Sequence, residues 1–275
     1  MDLKKLMCAA AASVLLVSAN TSAVAATIDL GFAIDDSGSV SPSDFNLATQ
    51  GLANALNQIP IPDPTDPDAI TYRISVVAFS STFNTRTEVD VTEIDSLATL
   101  NSVISQVQGI SRVGGSTAIG TAIQLLTQNF LDVGLGDSTI LNVTTDGGNN
   151  SGISTLAGAQ FAMANGVDSL GFEAVGFGAN TAALAAAAFP GTPVIIDDAN
   201  DLPDDILSTS FVFEVDSFQD YEAAINAKIV QIVDSTGGGG GGPSPSPVPL
   251  PAGMPLLLAG LGGLGYLRSR KSQAA

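Results

Sequence analysis

Apolar positions change period along the chain, and the changes mark strands and helices in alternation. Ile28, Leu30, Phe32 and Ile34 alternate with small Gly31 and Ala33. Beyond Asp29 this predicts a strand buried on both faces. Phe45, Ala48, Leu52, Leu56 and Ile59 then recur at spacings of three and four, the mark of a helix with one core face. Ser41 precedes that helix as a cap, Pro42 suits its first position, and Asp44 completes a capping box. Tyr72–Ser80 reads as a second strand and Thr85–Val91 as an alternating edge strand. Leu97, Leu100, Ile104 and Val107 mark a helix. Ile119, Ile123, Leu126 and Phe130 mark another, opened by Gly114-Gly115-Ser116-Thr117-Ala118-Ile119-Gly120. Thr139–Thr144 is a third core strand. A helix over 156–165, a strand over 169–177 and an alanine-rich helix over 181–189 follow. Val194–Ile196 is a short strand, 201–208 a brief helix, 211–215 extended, and 221–233 a last helix.

This alternation predicts an α/β fold, a doubly wound, mostly parallel sheet flanked by helices. The strand order beyond residue 189 stays open at this level. Pro60–Asp68 is a proline-rich loop whose three aspartates lack the glycine and closing glutamate of an EF-hand.

The two ends break the pattern. Lys4 and Lys5, an apolar stretch from Met7 to Val17, and Ala23-Val24-Ala25 predict a secretory signal peptide over 1–25. The folded domain is expected over 27–236. Six glycines and Pro243-Ser-Pro-Ser-Pro247 form a linker over 237–247 that begins flexible and becomes extended. Residues 248–275 hold an apolar run, Leu250 to Leu267, followed by Arg268, Arg270 and Lys271. As a helix the run is about 27 Å long, near the length of a transmembrane helix. Its basic flank favours that end in the cytoplasm.

Charge narrows the function classes. Residues 27–236 hold 26 of the chain's 27 acidic residues and four of its nine basic ones, a net of −22. Such a surface repels nucleic acid and anionic lipid and attracts divalent cations. The chain has no histidine, and its one cysteine, Cys8, lies in the leader. Ser-His-Asp and Cys-His catalysis and the usual zinc sites are thereby excluded. No phosphate-cradling glycine motif follows the first strand.

What remains is oxygen chemistry. Asp35-Asp36-Ser37-Gly38-Ser39 ends the first strand, Thr117 precedes a helix, and Asp146 follows the third core strand. In a parallel sheet, loops after successive strands emerge on one edge, where an α/β fold places ligands. Asp35, Ser37, Ser39, Thr117 and Asp146 would bring two carboxylates and three hydroxyls together there. That is a hard-oxygen set suited to Mg2+, Mn2+ or Ca2+, and five protein oxygens leave one octahedral position open. An incoming carboxylate from a partner can fill it. Taken singly, these pieces are also a turn, a helix cap and a loop signal.

Asp35-x-Ser37-x-Ser39, Gly114-Gly115-x-Thr117-x-x-Gly120 and Thr145-Asp146-Gly147, in that order, resemble the metal-ion-dependent adhesion site (MIDAS) of von Willebrand factor type A (VWA) domains. The resemblance covers 27–236. It implies a Rossmann-like fold, a bound divalent cation with magnesium foremost, and adhesion to an extracellular protein or glycan rather than catalysis. It assigns the metal to Asp35, Ser37, Ser39, Thr117 and Asp146. Asp36 falls outside the matched positions and is expected to tune the charge. Val248-Pro249-Leu250-Pro251-Ala252, the apolar run and the basic tail resemble the PEP-CTERM-type sorting signals of Gram-negative bacteria, with Leu250 where the commoner form has glutamate. This implies an exosortase-like protease and delivery to the cell surface or exopolysaccharide matrix, with membrane anchoring at least before processing. A plain membrane anchor is the alternative for the tail. For the domain, the alternatives are a structural matrix component in which the metal only stabilises the fold, and a metal-activated hydrolase.

Overall fold

A computed structural model describes residues 26–237. The expected leader, the linker beyond Gly237, the sorting motif and the C-terminal apolar helix lie outside the described residues. Among the described residues no helix is long and apolar enough to cross a membrane.

The core is a seven-stranded sheet in the order β3-β2-β1-β4-β5-β7-β6. β1 (Thr27–Asp35) lies between β2 (Thr71–Phe79) and β4 (Ser138–Thr145), parallel to both. β5 (Ser169–Val175), β7 (Phe211–Val215) and β6 (Val194–Ile196) continue in parallel, and β3 (Arg86–Glu93) closes the other edge antiparallel. This settles the order after residue 189: the last strand in sequence inserts between β5 and the short β6.

The alternation in β1 explains the layers. Leu30, Phe32 and Ile34 face one cluster, beneath α1 (Pro42–Ala55), α2 (Leu97–Gln108) and α6 (Tyr221–Thr236). Ala33 faces the other, beneath α3 (Ile119–Val133), α4 (Thr155–Ala164) and the short α5 (Thr181–Ala185). Gly31 is small for a reason: a Cβ there would stand 2.6 Å from Leu141 and 2.8 Å from Leu126 of α3. The first helix starts as expected, with Ser41 Oγ accepting from Asp44 N at 3.2 Å and donating to the Asp44 carboxylate at 2.7 Å.

Two helices differ from expectation. The alanine-rich helix ends at Ala185, short of the expected Phe189, whose place before Pro190 disfavours helical backbone. Phe189 instead exchanges backbone hydrogen bonds with Leu170. The expected helix over 201–208 is absent: a single 3-10 turn, Ala199–Asp201, overlaps only its first residue. Pro203 interrupts the segment, and the Asp205 carboxylate takes the Leu207 and Ser208 N–H groups that a helix would need.

α3 and α4 meet backbone to backbone. A Cβ on Gly120 would stand 2.2 Å from the Ser154 carbonyl oxygen, and one on Gly158 would stand 2.4 Å from that of Gly120. Gly120→Ala therefore forces the loop before α4 away from α3. The expected loss is about 1–3 kcal/mol of stability, the range for overpacking, read as a lower urea midpoint with an unchanged slope.

Candidate metal centre

The strand register builds the site. β1 and β4 run in parallel with Ile34 opposite Thr144, so Asp35 and Thr145 end their strands side by side. Thr145 Oγ1 donates to Asp35 Oδ2 at 2.6 Å, and Ser37 N donates to Asp35 Oδ1 at 2.8 Å. Asp35 is thereby held in one orientation at 1% exposure. Ser37 Oγ and Ser39 Oγ are 3.0 Å apart, and Ser39 Oγ donates to Asp146 Oδ1 at 2.7 Å. Thr117 joins from above: a Cβ on Gly147 would lie 3.8 Å from Ser39 Oγ and 3.9 Å from Thr117 Oγ1. All five oxygen-bearing residues predicted from sequence thus converge on one edge of the sheet.

The set fits a small hard cation. Neighbouring oxygens around an ion at about 2.1 Å stand roughly 3 Å apart, close to the Ser37–Ser39–Asp146 spacings. Every donor is oxygen, and Asp35 and Asp146 together balance a divalent charge. Hydroxyls supply the remainder; among the described residues no group of three or more His, Cys, Asp or Glu side chains is placed to hold an ion. Ser39 is exposed and Asp146 half-buried, so the set opens to solvent.

Electrostatics point the same way. Burial pushes the Asp35 carboxyl up from 3.8 to about 6; its hydrogen bonds to Ser37 and Thr145 oppose the rise, and Asp146 adds to it. Burial also raises Asp146, against its bond from Ser39.

Asp36 faces inward, away from the oxygen set. It is fully buried, and its Oδ2 accepts from Arg86 at 2.9 Å and from Val113 N at 3.1 Å. Its backbone N–H donates to Phe79 O and its carbonyl accepts from Gly114 N. Asp36 therefore ties the first loop to β2 and to the loop leading to Thr117. Gly114 and Gly115 turn that loop with φ of 79° and 129°, where a side chain is strained, and Gly115 O accepts from Gly38 N at 2.8 Å.

Three further contributions escaped sequence reading. Asn150 Oδ1 accepts from Thr117 N at 2.8 Å, while Asn150 N and Ser151 N donate to Thr117 O. Asn149 Oδ1 accepts from Gly120 N at 3.2 Å, serving α3, whose own N-cap Ala118 has no capping side chain. The Asn-Asn pair after Asp146 was the available signal. Phe83 and Phe177 are wholly exposed, and they flank the β4–α4 loop. Thr82 Oγ1 lies 3.1 Å from Ser151 Oγ, and a Cβ on Gly178 would stand 2.6 Å from Asp146 O.

These features give a pH test. Without metal, a carboxyl with a raised folded pKa favours the fold below about pH 4, and this contribution is lost as pH rises to about 6. Metal requires the carboxylate, so its affinity changes in the opposite sense. Metal-free melting temperature should fall between pH 4 and 6.5. Magnesium affinity by calorimetry should drop by up to about tenfold per pH unit below 6.

A family model described as a protein of unknown function (DUF1194) matches residues 25–190. No curated protein matches the sequence. Solved structures resemble the fold. Proximal thread matrix protein 1 from the mussel byssus aligns at 16% identity and TM-score 0.53, covering 76% of this chain and 46% of that one. A second structure of that protein has a zinc-occupied MIDAS motif. A von Willebrand factor type A protein from Catenulispora acidiphila aligns at 14% identity and TM-score 0.56, over 75% and 42%. The pilus adhesin SpaC from Lactobacillus rhamnosus GG aligns at 13% and 0.53, over 75% and 31%. The chain spans less than half the length of each of these three proteins. The fold is VWA-like.

Proposed function

The chain belongs to the DUF1194 family, and we propose that it is an exported, cell-surface or matrix-associated binding module that grips a protein or glycan through a divalent cation. The observation that supports this most is the Ser37–Ser39–Asp146 oxygen chain closing on the strand end that presents Asp35. Asp35, Ser37, Ser39, Thr117 and Asp146 would hold the ion, magnesium foremost. A cation held there would add the positive charge that a partner's carboxylate needs on a face where Asp35, Asp44 and Asp146 outnumber Arg112. Asp44 and Asp216 line the open depression of about 330 Å3 beside Ser39 and Asp146. Phe83 and Phe177 offer apolar anchors on either side, of the kind that interfaces use. We read the module as a binder, not an enzyme, since the chain lacks histidine and the site shows no second acid–base pair. The leader, the Val248–Ala252 motif and the basic tail support export and sorting. The names of the mussel matrix protein and the pilus adhesin agree with a surface role.

Calorimetry with magnesium tests the site. Asp146→Ala should weaken binding by more than about 100-fold, beyond the loss typical of an outer-shell change. Equal affinity in the two proteins would sink the assignment. The Phe83→Ala, Phe177→Ala double variant should keep magnesium affinity and melting temperature. It should lose magnesium-dependent retention on immobilised exopolysaccharide or surface-protein fractions. Retention that survives a chelator would favour a matrix component in which the metal only stabilises the fold, a reading to which the mussel matrix likeness lends support.

A further inference from the structure

A second polar cluster lies within the sheet's opposite, α6-covered layer, and the metal site does not use it. On that face Ile140 of β4 is followed by Asn142 and Thr144, and β5 contributes Gly171 and Glu173. Lys228 of α6 points into them. Asn142, Glu173 and Lys228 are all buried, with exposures of 2%, 0% and 1%.

Their contacts are specific. Lys228 Nζ donates to Glu173 Oε1 at 2.9 Å and packs directly against Asn142 Oδ1. Asn142 Nδ2 in turn donates to Glu173 Oε2. One carboxyl group therefore touches both the lysine nitrogen and the carboxamide nitrogen. The lysine amine lies 4.7 Å from the centre of the Phe211 ring. A Cβ on Gly171 would stand 2.9 Å from Nζ, so that glycine makes room for the amine. Thr144 Oγ1, 3.2 Å from Glu173 Oε2 and 3.1 Å from the Tyr221 hydroxyl, closes the cluster.

We propose that Lys228 and Asn142 join in an intramolecular amide bond, promoted by Glu173, that fastens α6 to β4. A lysine sealed from water is a nucleophile once neutral, and burial lowers its basicity against the pull of Glu173. The proton of the ammonium passes to Glu173, which leaves an uncharged amine and an uncharged acid. The Nζ lone pair then attacks Asn142 Cγ, and the carbonyl electrons move onto Oδ1. Glu173, touching both nitrogens, relays one proton from Nζ to Nδ2. The Cγ–Nδ2 bond breaks with its electron pair, the carbonyl re-forms, and ammonia departs. One C–N bond forms and one breaks. No oxidant, water or co-reactant is consumed, and Glu173 ends protonated.

Placement gives the bond a use. Asp146 lies just beyond the end of β4, and α6 is the last described element before the glycine run. Tension between a partner held at Asp146 and the chain beyond Gly237 would otherwise peel α6 from the sheet. With the bond, force passes from β4 to α6 and bypasses residues 147–227.

Mass spectrometry of the denatured full chain decides the matter. Cleavage at acidic residues separates the Ser138–Thr145 segment from the Ala223–Val233 segment. The expected product is the two joined, lighter than their sum by one ammonia, with Lys228 resistant to trypsin. Glu173→Gln, checked for folding by circular dichroism, should yield the two peptides separately. Free, unaltered peptides from the folded wild-type chain would overturn the proposal, as would a simple deamidation of Asn142. This readout does not depend on metal or on any partner.

Discussion

Two carboxylates, Asp35 and Asp146, must be brought to one edge of the sheet. The parallel register of β1 against β4 imposes this, and the other features of the site follow from it. With Ile34 opposite Thr144, the chain leaves both strands side by side. The resulting repulsion is partly met by hydroxyls: Thr145 and Ser39 each donate to one of the two carboxylates. Hydroxyls cannot neutralise charge, however. Burial is the chief reason that both acids hold their protons more tightly, with Asp146 adding to the rise on Asp35, and a cation at this edge would favour their charged forms.

Holding five side chains from three loops in one place needs more than their own hydrogen bonds. Asp36 turns inward to Arg86 and fastens the first loop to β2 and to the segment before Thr117. Asn149 and Asn150 fasten that segment to the loop after Asp146. The Gly120–Gly158 contact sets how closely α3 and α4 approach. At the opposite end of β1, Asp29 is held by Arg73 in a two-pronged pair and by Gly136 N, which secures the start of the strand. The loops that face solvent are thus backed by buried polar bonds, which hold them more firmly than loop composition suggests.

A fold shared with a mussel matrix protein and a bacterial pilus adhesin does not by itself assign a function. The proposed function rests on the site and on the exposed phenylalanines beside it, and the proposed cross-link bears on how the domain would withstand tension. The buried Lys228–Glu173–Asn142 cluster belongs to that last question. A buried charge pair is a weak source of stability, because desolvation offsets its attraction. The proposed cross-link gives the cluster a role that packing alone does not supply.

Sequence alone determined the class of fold and the start of α1, and it singled out five oxygen-bearing residues that the fold brings to one edge. These rest on local periodicity and on short spacings, which a chain displays without being folded. Helix ends near Pro190 and Pro203 were less legible, because prolines and side-chain turns compete with the pattern there. Tertiary structure alone decided that β7 inserts before β6, that Asp36 faces inward, and that Asn149 and Asn150 clamp Thr117. It also decided that Glu173 and Lys228 meet, although each reads as a lone charge in an apolar run. The physical reason is the same throughout: these contacts join residues far apart in sequence, and only the sheet's register and helix packing bring them within reach. Asp35-x-Ser37-x-Ser39 was visible as a motif, but its convergence with Thr117 and Asp146 needed two strands to end side by side.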